Sequence, residues 1–164
     1  MRMSTNAQIA FYESKEQAQN IDDFDASILV YWDGYPETKE GVPARIVPFL
    51  KKFMKRRGLS DSSYAGAWTL HELVAQHVKR QKEFYREHPA HKNSGLTYAD
   101  GKDCPSFGIM KEVGSVDFFY KVYPDVLEIW QREWDYSRGK SNFENPKYKF
   151  VKAIDLTRKF VIPK

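Results

Sequence analysis

The sequence predicts an α+β domain: a mainly antiparallel β-sheet of about four to six strands with two helices packed on one face. Three observations carry that prediction. Short β-branched and aromatic runs stand towards both ends of the chain. Two long segments with helical spacing lie between residues 42 and 87. Turn dipeptides separate the later runs. The 164 residues suit a single domain over 1–164, with 1–7 and 138–147 expected to be flexible.

In chain order, Gln8–Tyr12 reads as a short strand, and the polar, acidic Ser14–Asp25 as a connector or short helix. Ala26–Trp32 is the clearest strand, continuous and apolar enough for a buried, central position. Asp33-Gly34 and Tyr35-Pro36 then turn the chain. Val42–Arg57 follows as a helix with Pro43 in its first turn, an apolar stripe of Ile46, Phe49, Leu50 and Phe53, and Gly58 as its cap. Pro48 marks either the true start or a kink near Ala44. Asp61 or Ser62 caps a second helix, about Tyr64–Glu87, whose expected buried face is Ala67, Leu70, Val74, Val78 and Phe84 or Tyr85. His88–Pro105 reads as a long loop.

A three-stranded meander is expected next: Phe107–Val113, Ser115–Tyr123 and Val126–Tyr136, with turns at Gly114 and Pro124-Asp125. Leu127, Trp130 and Trp134 also fit a helix, but the two-residue turn favours the strand. Tyr148–Ile162 reads as a last strand or a short helix.

Hydrophobic residues make up 41% and charged residues 29%, a balance that suits a packed core under a charged surface. Aromatics reach 15%, which serves either a ring-built core or stacking surfaces for bases. Cys104 is the single cysteine, so a disulfide scaffold is excluded. No apolar leader segment opens the chain. No run approaches the roughly 18 apolar residues of a membrane span. The expected compartment is the cytoplasm.

The net charge of +4 is unevenly spread. Residues 1–50 hold 8 acidic and 4 basic side chains, whereas residues 51–100 hold 5 and 10, and residues 138–164 hold 2 and 8. Clustered cations of this kind either solvate a helix face or recognise phosphate. Lys51, Lys52, Lys55, Arg56 and Arg57 form the densest patch. Lys79 and Arg80 add a second row on the next helix, and Tyr148 and Lys149 begin a tail in which rings alternate with cations. If the helices run antiparallel, the two helical patches fall at opposite ends. Asp33 and Tyr35 serve either the turn itself or a ligand at a strand's end, Asp33 accepting from an amine or hydroxyl and Tyr35 stacking.

The enzyme signatures fail on spacing. His71 and His77 are six apart, which leaves their rings about 120° apart at about 100° per residue, too far for one zinc ion. His88, His91 and Cys104 lack a fourth ligand. No phosphate loop or nucleophile elbow occurs. No metal, cofactor or catalytic residue is assigned.

Val30-Tyr31-Trp32-Asp33-Gly34-Tyr35-Pro36 followed by Val42–Phe53, together with Gly114–Val122, resembles a group of small uncharacterised proteins of bacteria and their phages that share a strand–(W)DGYP–helix motif. In that group a basic or histidine residue often stands two or three places before the motif's aspartate, where this chain has Tyr31 and Val30. The resemblance implies the fold and a phage or mobile-element setting, and through that setting antagonism of host defence in the host cytoplasm. It implies no mechanism.

The favoured expectation is a non-catalytic protein that binds a phosphate-bearing partner, nucleic acid or a signalling nucleotide, through Asp33, Tyr35, Lys51, Lys52, Lys55, Arg56, Arg57, Lys79, Arg80, Tyr148 and Lys149. Two alternatives stay open: an inhibitor that binds a host defence protein directly, and a small hydrolase or nuclease using Asp33 and a histidine. Assembly as a homo-oligomer is compatible with all three, and membrane association with none.

Overall fold

The computed structural model describes residues 5–31, 34–92, 107–133 and 146–162. Its strands are β1 (Ala7–Phe11), β2 (Ala26–Val30), β3 (Phe107–Ile109), β4 (Phe118–Tyr123), β5 (Val126–Glu133) and β6 (Lys147–Asp155). Its helices are α1 (Val42–Arg57) and α2 (Ser62–Glu87). The six strands form one sheet in the order β3-β2-β1-β4-β5-β6. Only β1 and β4 pair in parallel, Ile9 opposite Tyr120. The other neighbours are antiparallel. No helix among the described residues is long and apolar enough to cross a membrane.

Two cores lie on opposite faces of the sheet. On one, Ile9, Phe11, Ile28, Tyr120 and Leu127 meet Ile46 and Leu50 of α1 and Leu73 of α2. On the other, Ala10, Tyr12, Phe119 and Tyr123 are covered by Ala18, Ile21 and Phe24 of the β1–β2 connector. This connector holds a single 3₁₀ turn, Gln17–Gln19. With both faces covered, all five residues of β1 are buried, as a central strand requires.

The helix α1 has the expected bounds. Pro43 takes the first turn, where its missing N–H costs nothing. Pro48 marks no start: the helix begins six residues earlier and runs on through it. Gly58 ends the helix at φ 78°, a conformation that favours glycine, and its N–H donates to the Met54 carbonyl at 2.9 Å. Asp61 caps α2 by accepting from the Tyr64 N–H at 3.2 Å.

Two expectations need correction. The buried face of α2 is Ser62, Ala65, Gly66, Thr69, Leu73 and His77, while Ala67 and Val78 are exposed and Leu70 is half-buried. Small residues decide that rotation. A Cβ on Gly66 would stand 2.8 Å from the Ala26 Cβ, so only this bare face lets the helix come so close to the sheet. Thr69 satisfies its own hydroxyl on the Ala65 carbonyl at 2.7 Å and can be buried at little cost.

The meander is the second correction. β4 and β5 form the expected hairpin, but β3 pairs with β2 at the far edge, Ile28 opposite Ile109. One side of β4 is already filled by β1, so β3 finds a free row of backbone groups only beside β2. The chain then crosses the sheet, pinned by Gln8, whose amide donates to the Glu112 carbonyl at 3.0 Å and accepts from the Gly114 N–H at 2.7 Å.

The segments expected to be flexible run into β1 and β6. Thr5 is buried and Ala7 opens β1, and Lys147 opens β6. The rest of 138–147, save Pro146, lies outside the described residues. Val126–Glu133 is a strand, as favoured, and Tyr148–Ile162 yields a strand over its first eight residues.

Candidate functional site

Antiparallel packing of α1 and α2 carries the two helical basic patches to opposite ends, as expected. The first lies along the C-terminal half of α1. Lys51 and Lys55 are one turn apart, so they share a face, and Lys52 flanks them. After β6 the chain returns over this face. Lys51 Nζ donates to the Arg158 carbonyl, and Phe160 packs on the helix-side core. The result is a groove of about 280 Å³ lined by Pro48, Lys51, Lys52, Lys55, Phe160 and Ile162. Its walls carry three ammonium groups and no carboxylate.

Neighbouring cations differ in how far they are neutralised. Arg158 pairs with Asp155 at 3.0 Å and Lys152 with Glu37 at 3.9 Å. Two hydrogen bonds from Thr157, ahead of the Arg158 charge, hold the Asp155 carboxyl below its usual range. Arg57 lies 3.8 Å over the Tyr64 ring and 3.8 Å from Asp61, so it ties α1 to α2. Lys51, Lys52, Lys55 and Arg56 have no carboxylate within ion-pair distance among the described residues.

The second patch is mixed. Lys79 and Arg80 share a depression of about 370 Å³ with Lys39 and Arg45, but also with Glu40 and Glu83. Its two carboxylates offset half of the four cations. His77, on the buried side of the same helix, sets its ring edge-on to Phe107 at 6.2 Å. Burial, then the charges of Arg45 and Arg80, hold its pKa below the ordinary histidine value.

The remaining candidates are not brought to the groove. Tyr35 stands before the start of α1, accepts from the Val42 N–H at 3.1 Å and packs 6.2 Å from Phe118. At 1.5 Å per residue Lys51 is about 14 Å further along the helix. Asp33 lies outside the described residues, as do Cys104 and the side chain of His91. Tyr148 and Lys149 are successive on β6 and so face opposite sides. Tyr148 turns to the back core, with its ring 5.4 Å from Phe119 and its hydroxyl donating to the Gly114 carbonyl at 2.6 Å. It is a structural pin there, and burial raises its pKa. Lys149 is exposed opposite Gln131.

The histidines also part company. His71 packs on Trp68 at 5.3 Å and His88 on Phe84 at 4.8 Å, and no histidine lines the groove. Among the described residues no group of three or more His, Cys, Asp or Glu side chains could hold a metal ion.

Sequence reasoning missed Pro48, Phe160 and Ile162 as groove walls, because nothing local announces where a tail will lie. It also passed over Lys121. A lysine inside the apolar run FFYKVY was the available signal.

Fold and groove together define only a class: a two-sided α+β sheet with a lysine-lined furrow on its helix side. No protein-family model matches the chain, and neither a curated protein nor a solved structure does.

Proposed function

We propose that this protein is a non-catalytic binder of a phosphate-bearing partner, either a nucleic acid or a nucleotide. The observation that supports the reading is the groove in which Lys51, Lys52 and Lys55 converge beside Phe160 with no acidic side chain in its wall. Lysine ammonium groups act as point charges toward phosphate oxygens. Phe160 and Ile162 offer an apolar surface against which a base can lie. Cations at a helix C-terminus also complement the macrodipole, worth about 0.3–1 kcal/mol each. That role needs neither three lysines in one furrow nor a ring beside them.

The resemblance of the Val30–Pro36 and Val42–Phe53 segments adds the setting: a phage or mobile-element protein acting in the host cytoplasm against a nucleotide-dependent defence. A second reading, direct inhibition of a host protein, draws on one observation. β6 is a nine-residue edge strand with Phe150 and Val151 exposed, a surface suited to strand addition.

The test is titration of fluorescent single-stranded oligonucleotides and cyclic nucleotides against the full chain and against Lys51→Ala/Lys52→Ala/Lys55→Ala. Binding should weaken as salt rises from about 50 to about 200 mM, and the triple variant should lower the salt slope for the oligonucleotide by about 2. Absence of binding for every probe, or unchanged binding by the triple variant, refutes the reading. Capture of a host protein that survives nuclease treatment and is lost when β6 is blocked favours the second.

A further inference from the structure

On the sheet face away from the helices, Lys121 presents a different chemistry. It sits mid-strand in β4 and is 5% exposed. Its Nζ donates to the Ala18 carbonyl at 2.6 Å and lies 4.8 Å from the Trp130 ring centre and 5.9 Å from that of Tyr12. An ammonium has three donors, and this is the one hydrogen bond Lys121 makes among the described residues. Beside it opens a pocket of about 240 Å³ whose lining includes Lys15, Ala18, Gln19, Lys121, Glu128 and Trp130.

Glu128 does not fill the vacant role. One of its oxygens accepts from the Tyr123 hydroxyl at 2.7 Å and the other from the Trp130 indole N–H at 2.9 Å. Its carboxylate thus holds the two rings in place. The lining carries two cations, Lys15 and Lys121, against one anion, Glu128, and so keeps one positive charge. A lysine buried this deeply costs free energy unless its charge is answered. Burial lowers the Lys121 pKa, with Glu128 opposing the shift.

We propose that this pocket binds a small organic carboxylate, its oxygens on Lys121 Nζ and its apolar body against Trp130. One negative charge neutralises the lining, whereas a phosphate dianion overshoots it and an amine meets Lys121 head-on. The volume lies below the roughly 300 Å³ at which drug-sized ligand sites begin, so the ligand is small. The site is separate from the α1 groove and stands or falls without it.

Benzoate is the probe, with benzylamine and inorganic phosphate as controls of opposite and higher charge. Trp130 fluorescence and lysine side-chain NMR of the full chain report binding. Benzoate should bind and move the Lys121 signal, benzylamine should not bind, and phosphate should not displace benzoate. Lys121→Met should weaken benzoate at least about tenfold, the loss of a charge-assisted hydrogen bond. Because that variant touches a buried site, exposed Lys15→Glu gives a second reading. It makes the lining net negative and should weaken benzoate about tenfold with the fold intact. The proposal is overturned if benzoate leaves the Lys121 signal unmoved, if benzylamine or phosphate takes its place, or if Lys15→Glu binds as the wild type does.

Discussion

The hydroxyl of Tyr120 donates to the carbonyl oxygen of Gly34 at 2.6 Å, joining the middle of β4 to the turn that precedes α1. Both partners are buried, and burial pushes the Tyr120 pKa up. Gly34 is held from its other side as well, by its N–H to the Thr5 carbonyl at 3.0 Å. The turn is therefore fastened to the sheet by backbone and side chain together.

Tyr120→Phe deletes one bond and leaves the Gly34 carbonyl short of its donor. The expected cost is about 1–3 kcal/mol, seen as a lower urea midpoint at an unchanged m-value. A midpoint equal to wild type would show that water replaces the hydroxyl without loss.

Gly66→Ala tests the seat of α2. The added methyl would lie 2.8 Å from the Ala26 Cβ and 3.3 Å from a Phe11 ring carbon. The helix must lift or the strand must shift, at about 1–3 kcal/mol. Ala67→Ser, one residue on and exposed, should be nearly silent. Equal melting temperatures for the two variants would contradict the close approach.

His77 should make stability depend on pH in the acidic range. Its folded-state pKa is lowered, so the unfolded chain binds the proton first. The stabilising contribution is complete above the unfolded value of about 6.5 and is lost as pH falls through the folded value. Urea unfolding of wild type should weaken from pH 7 to pH 5 more steeply than that of His77→Gln. Parallel curves would remove His77 as the cause.

At alkaline pH the sign reverses for the buried phenols. Burial raises the pKa of Tyr12, Tyr120, Tyr123 and Tyr148 above the ordinary value. Their contribution is complete below about pH 10 and disappears as pH climbs beyond it, because the unfolded chain ionises first. Phenolate absorbance should show at least these four of the 10 tyrosines ionising only as the protein unfolds. Full titration near pH 10 with native circular dichroism would refute it.

The sequence alone determined the elements whose signals are local. α1 was legible from Val42 to Arg57 because the 3.6-residue stripe, Pro43 and Gly58 all act within a turn or two of chain. The β4–β5 hairpin was legible from alternation and a two-residue turn, and the crowding of lysines on α1 from composition. Only the tertiary structure decided which strand edge β3 found, which face of α2 met the sheet, that Phe160 would come to lie beside Lys51, and that Lys121 would face a pocket. These depend on which backbone edges are free and how closely surfaces approach across separations such as the 107 residues between Lys51 and Arg158, and no periodicity within a single segment encodes them.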